Sequence, residues 1–197
     1  MAIVEFLSNI IIDFITSSGY LGIFIWMLLE SANIPIPSEI IMPFSGYLVY
    51  LGKFSMIGII FVGALGNLVG SIISYYIGLK EGRSFIEKYG KYFLLGHKHI
   101  KLSEKWFKRY GTETIFFSRL LPIVRTFISL PAGIGKMNIK KFIIYTFIGS
   151  LIWSAILGYL GFILGPEWNN LVIFFNEIDI ILIIIFILLI LFWKFRK

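Results

Sequence analysis

Four charged residues stand inside otherwise apolar sequence. Glu30 and Glu39 bracket the stretch ESANIPIPSE, which follows GIFIWMLL and precedes IIMPFSGYLVY. Arg119 and Arg125 lie on either side of Pro122 in FFSRLLPIVRTFISLPAG. A charge near the centre of a bilayer costs about 2.5–3.5 kcal/mol on insertion scales. Two negative and two positive charges can neutralise one another, so one reading is a salt-bridge cluster that only locks its surroundings together. Buried ion pairs rarely gain net stability over apolar packing, however, which leaves room for a functional role. Arginine keeps its charge and presents a planar fork of donors that suits phosphate oxygens. Backbone amides freed around Pro122, and at the start of a helix after Ser38, add further donors. The natural ligand is an anionic headgroup. Glu30 and Glu39 would repel that ligand when ionised, but an apolar setting favours the neutral acid. They are therefore candidates for proton coupling, or for gating by exchanging partners with the arginines. Pro35, Pro37, Pro122 and Pro131 are the expected breakers of the helices that carry these charges.

Signals for other chemistry are nearly absent. With no cysteine there is no thiol nucleophile, disulfide or thiolate metal site. His97 and His99 in GHKHIK sit in a basic stretch without carboxylates at metal-ligand spacing, so no metal is expected. No phosphate-binding loop of the Walker type is present, which argues against ATP use. The residues call for no cofactor and point to a transporter, not an enzyme. Trp26, Trp106, Trp153, Trp168 and Trp193 read as interface anchors or packing.

The elements that hold these charges must lie in a membrane. Of 197 residues, 58% are hydrophobic and only 15% charged, which displaces the chain from soluble composition. The mean hydropathy of +0.88 agrees. A soluble domain this small cannot bury nearly every helix on all sides. The net charge of +7 is better explained by loops that orient a membrane protein than by nucleic acid. Nine of the 18 basic residues lie between Lys80 and Arg109. Further clusters are KMNIKK (136–141) and the tail KFRK, and all three are assigned to the cytoplasm. The N-terminal stretch has acids and no base, unlike a secretory signal.

Counting crossings from these anchors predicts an all-α integral membrane domain over 1–197. It has a first re-entrant hairpin at 19–51, a transmembrane helix at 56–79 and a basic cytoplasmic amphipathic segment at 80–110. A second re-entrant hairpin follows at 114–133, with transmembrane helices at 142–164 and 171–193 and a cytoplasmic C-terminus. Residues 4–15 read as an interfacial amphipathic helix, the alternative being one crossing from Ile3 to Leu29. A weak internal repeat supports two opposed hairpins. GNLVGSIISYYIGLKEG from Gly66 aligns with GSLIWSAILGYLGFILG from Gly149, and GKFS at Gly52 aligns with GKMN at Gly135 at the same offset. Inverted repeats whose broken elements meet near the midplane are a recurring transporter plan.

The chain resembles the DedA family, also described as the SNARE-associated or VTT-domain family. The resemblance is carried by GYLGIFIWMLLESANIPIPSEIIMPFSGYL, GNLVGSIISYYIGLKEGR and FFSRLLPIVRTFISLPAGIGKMNIKKFIIYTFIGSLIW. It implies a multi-pass protein of the bacterial plasma membrane with two opposed re-entrant hairpins. It further implies a lipid translocase that returns undecaprenyl phosphate from the outer to the inner leaflet for envelope synthesis, with possible proton coupling. The family's essential acidic pair maps onto Glu30 and Glu39, and its arginine pair onto Arg119 and Arg125. Polyprenyl phosphate and membrane lipids are the expected partners, and a homo-oligomer is compatible with the sequence. The competing readings are a proton-coupled transporter of a small ion or drug, a phospholipid scramblase, and a scaffold for envelope machinery.

Overall fold

Ser55 and Asn138 start two long helices in the same way. Each stands in extended backbone. The Ser55 side chain accepts from the Gly58 amide at 3.4 Å, and the Asn138 side chain from the Lys141 amide at 3.2 Å. Such caps satisfy amides that have no partner inside a helix. The computed structural model describes residues 2–34, 36–82, 84 and 97–168, and the side chains among them except those of 2–8, 97–100 and 123. Every regular element in that range is helical. In chain order these are α1 (Ala2–Ser18), α2 (Tyr20–Ser31), α3 (Ser38–Tyr50), α4 (Met56–Lys80), α5 (His97–Ser118), α6 (Pro122–Phe127), α7 (Ser129–Ile134) and α8 (Ile139–Leu164), followed by a 3-10 turn over Gly165–Glu167. The expected crossing at 171–193, Pro35 and part of the basic segment at 80–110 lie outside the described residues.

The two capped helices have 25 and 26 residues. At about 1.5 Å per residue each is long enough to cross a hydrocarbon core of about 30 Å. Their surfaces are inverted relative to a soluble protein. Asn67, Ser71 and Ser74 of α4 are buried, as are Thr146, Ser150 and Ser154 of α8. Ile57 of α4 is 80% exposed and Ile163 of α8 is 73% exposed. Ile144, Ile148, Ile152 and Ile156 continue the exposed apolar stripe along α8. Polar groups inside and isoleucine outside is the arrangement that a lipid surround favours.

Several local breaks shape what packs on these helices. Gly19 takes φ of 65°, a conformation that favours glycine, and turns α1 back onto α2. Ile11 and Ile15 of α1 are buried in the main apolar cluster. One straight helix from Ile3 to Leu29 is therefore not formed. Asn33 also has positive φ, at 67°, in the break between α2 and α3. Pro37 caps α3, and Pro122 occupies the first turn of α6, where its missing N–H costs nothing. Pro131 lies in the first turn of α7, with the turn at Ile128 just before it. Pro43 lies inside α3, which continues through it. No break separates the basic segment from the second hairpin either, because α5 runs unbroken from His97 to Ser118.

The two halves make matching contacts. α2 packs on α4, and α5 packs on α8. α3 crosses to α8 of the other half, and α7 crosses to α4. Equivalent glycines mark these contacts. A Cβ at Gly66 would strike the Phe24 carbonyl, and one at Gly149 would stand 2.6 Å from Arg119 Cβ. A Cβ at Gly161 would collide with the Pro43 carbonyl, and one at Gly78 with that of Leu130. Gly46 and Gly133 likewise abut the backbone of Gly158 and Tyr75. The caps and the long helices keep the repeat spacing read from sequence. The arms before them, α3 and α7, match at a wider spacing, mainly because α3 continues to Tyr50, further past Gly46 than α7 runs past Gly133.

Candidate functional site

Glu30 lies in the last turn of α2, where the helix dipole disfavours a carboxylate. Four donors offset that. Oε1 accepts from Arg125 Nη2 at 2.7 Å and from Thr126 Oγ1 at 3.1 Å. Oε2 accepts from Ser31 Oγ at 3.0 Å and from Asn67 Nδ2 at 3.5 Å. Asn67 is held in turn by Ser150 Oγ, which donates to Oδ1 at 2.8 Å, and by Ser71 Oγ at 3.5 Å.

Arg125 reaches Glu30 from α6, and its guanidinium carbon lies 5.2 Å from the Trp153 ring centre. Arg119 follows α5 and turns inward beneath α6. Its Nη1 donates to the Arg125 carbonyl at 2.7 Å, which satisfies an orphan acceptor near the end of that short helix. Its Nη2 donates to Ser129 Oγ at 2.7 Å and to Thr146 Oγ1 at 3.4 Å. Among the described residues Arg119 has no carboxylate within ion-pair distance. The Nε atoms of Arg119 and Arg125 are both buried without an acceptor. Both arginines are 1% exposed and Glu30 is 3% exposed, so the site is closed to bulk water in this conformation.

Three of the four charges expected from sequence thus come together: Glu30, Arg119 and Arg125. Glu39 is also buried, in the first turn of α3, where its Oε2 accepts from Ser38 Oγ at 3.1 Å. Arg125 makes its ion pair with Glu30. Sequence reasoning assigned no site role to Ser31, Asn67, Thr126, Ser129, Thr146 and Ser150. A signal for some of them exists. Asn67 and Ser71, and Thr146, Ser150 and Ser154, recur four apart in apolar helices, which puts them on one buried face.

A profile of the VTT domain matches residues 36–163, about two thirds of the chain. The chain belongs to the VTT-domain family. The match takes in Glu39, Arg119 and Arg125 of this VTT protein and starts just after Glu30. Among relatives of the VTT protein is undecaprenyl phosphate transporter A of Bacillus subtilis (strain 168). It is 41% identical over 160 residues, which cover 81% of this chain and 79% of the relative. Undecaprenyl phosphate transporter A of Staphylococcus aureus (strain NCTC 8325 / PS 47) is 32% identical over 194 residues, 96% of either chain. A Lactococcus lactis (strain IL1403) relative that bears the name alkaline phosphatase-like protein is 36% identical over 194 residues, 94% of this chain and 91% of its own. No solved structure matches the VTT protein.

Proposed function

We propose that this protein is a flippase that carries undecaprenyl phosphate from the outer to the cytoplasmic leaflet of the bacterial plasma membrane. The observation that carries the reading is Arg119. It is a fully buried cation whose described partners are one carbonyl and two hydroxyls, it lies beside Arg125, and each guanidinium retains an unused donor. Placing such a charge in an apolar protein is costly unless an anion completes it. A phosphate monoester supplies charge and several acceptors for two planar forks. The names of the two transporter relatives support the lipid class.

In this reading α2–α3 and the unit from the end of α5 to α7 are two opposed re-entrant hairpins. The matched contacts of the two halves support that. The headgroup moves between the hairpins while the polyprenyl tail stays in lipid. Glu30 holds Arg125 when no phosphate is present, and the arriving phosphate takes its place. A proton on Glu30 weakens its hold on Arg125 and couples the cycle to the proton gradient. Glu39 is the second carboxylate of that cycle. The basic clusters support a cytoplasmic side for the loop after α4 and for the C-terminus.

Purified protein in liposomes tests this. Wild type is expected to transfer a labelled polyprenyl phosphate across the bilayer, and Arg119→Ala and Arg125→Ala to lose transfer while staying folded. Wild-type rates in either variant would overturn the assignment. Equal movement of phosphatidylglycerol in both directions would mean a scramblase instead.

A further inference from the structure

Among the described residues, Asn67 is the one side chain hydrogen-bonded both to the Glu30 carboxylate and to the opposing long helix. It is 1% exposed, in the middle of an apolar membrane-length helix, where an amide is tolerated only if its hydrogen bonds are made. Its orientation follows from its neighbours. A carboxylate only accepts, so Nδ2 must face Glu30, and Oδ1 then receives the hydroxyls of Ser150 and Ser71. Asn67 and Ser150 are 83 positions apart, the spacing of the repeat. They are equivalent residues of the two halves, bonded to each other where α4 meets α8. An unbroken chain therefore runs from Arg125 in the second half to Glu30 and Asn67 in the first, and back to Ser150 in the second.

We propose that Asn67 is the positioning residue for Glu30, holding its carboxylate against Arg125 and tying that ion pair to the contact between the two long helices. The role rests on reading Glu30 as the gate. If Arg125 leaves Glu30 for an incoming anion, the carboxylate is still held by Ser31 and Asn67, so it is ready to re-form the pair. If the halves move apart at Ser150, Asn67 loses the bond that aims its amide, and Glu30 feels the change. Arg125 also reaches α8, over the Trp153 ring, but among the described residues only Asn67 hydrogen-bonds both Glu30 and α8. The charged groups around Glu30 are Arg125 on α6, Arg119 bonded to the Arg125 carbonyl, and Glu39 on the neighbouring α3. α1 contributes only the exposed Asp13 among its described side chains, and α4 and α8 carry charge only at their ends, at Lys80, Lys140 and Lys141.

The test uses full-length protein in liposomes and a readout that needs no lipid substrate. Carbodiimide labels carboxylic acids in apolar sites in their neutral form, and mass spectrometry reads Glu30 and Glu39 separately. Asn67→Asp has nearly the shape of the native residue and keeps the acceptor for Ser150, but removes the donor to Glu30. It is expected to raise Glu30 labelling at pH 7 at least tenfold and leave Glu39 labelling unchanged. Its lipid transfer is expected to fall at least tenfold at pH 7 and to recover as the pH is lowered, because one proton shared by two adjacent carboxylates restores a single negative charge. Asn67→Leu is the second variant and is expected to raise Glu30 labelling in the same direction. Ser150→Ala keeps the donor but loses the bond that aims it, and should raise Glu30 labelling by less than either Asn67 variant does. Glu30 labelling within twofold of wild type in both Asn67 variants, or a loss of transfer in Asn67→Asp that is equal at every pH, would overturn the proposal. A wild-type protein that labels as expected but moves no lipid counts against the proposed function and not against this role.

Discussion

Glu30 and Arg125 are 95 positions apart in sequence and 2.7 Å apart in space. Each comes from a different half of the molecule, and both are buried. This one contact joins the end of α2 to α6. It also means that the first half neutralises a cation carried by the second half. Breaking a buried pair by removing one partner strands the other charge, whereas removing both relieves the problem.

Thermal unfolding in detergent should show that asymmetry. Arg125→Ala, which leaves Glu30 buried and unpaired, is expected to destabilise by about 3–5 kcal/mol. Arg125→Ala combined with Glu30→Ala should cost less than the sum of the single changes. Strict additivity would mean that the two side chains are not coupled.

Glu30→Gln separates charge from shape. The amide oxygen still accepts from Thr126 and Arg125, so the fold should survive with a loss of about 1–2 kcal/mol. With no charge to exchange, the pH dependence of lipid transfer should flatten relative to wild type. Transfer rates of the Gln variant, measured in liposomes across pH, decide this. A profile that still follows wild type would remove Glu30 from the proton step.

Arg119→Lys keeps a cation and loses the fork. One ammonium cannot serve the Arg125 carbonyl, Ser129 and Thr146 in the same planar geometry. Partial transfer is expected, about ten- to a hundredfold below wild type, which corresponds to roughly 1.4–2.8 kcal/mol. Full activity would mean that charge alone suffices.

Gly149→Ala tests how Arg119 is placed. The added Cβ would stand 2.6 Å from Arg119 Cβ, so the arginine must shift. Transfer should fall about tenfold or more with only a modest drop in unfolding temperature. Gly161→Ala, which drives a Cβ into the Pro43 backbone, should instead show mainly as lost stability, by about 1–3 kcal/mol. The same pattern of loss in both variants would contradict the separation.

The amino-acid sequence by itself determined a good deal of this protein. Composition and the inserted charges required a membrane setting, and the motifs carried the family resemblance that the VTT-domain match agrees with. The first long helix begins at Met56, where the sequence put it, but the second begins at Ile139 and not at 142, because the Asn138 cap starts it three residues earlier. Other features needed the tertiary structure. Glu30 and Glu39 are alike in type and context, and nothing local says which meets Arg125. That depends on how α2 and α6 are brought together by α4 and α8. Pro131, like Pro122, falls in the first turn of a short helix that starts after a break. Asn67 looked like one polar residue among small ones. Its place against both Glu30 and Ser150 follows from two helices crossing at equivalent positions. A sequence fixes which residues share a face, but a buried charge chooses its partners only when separate elements pack around it.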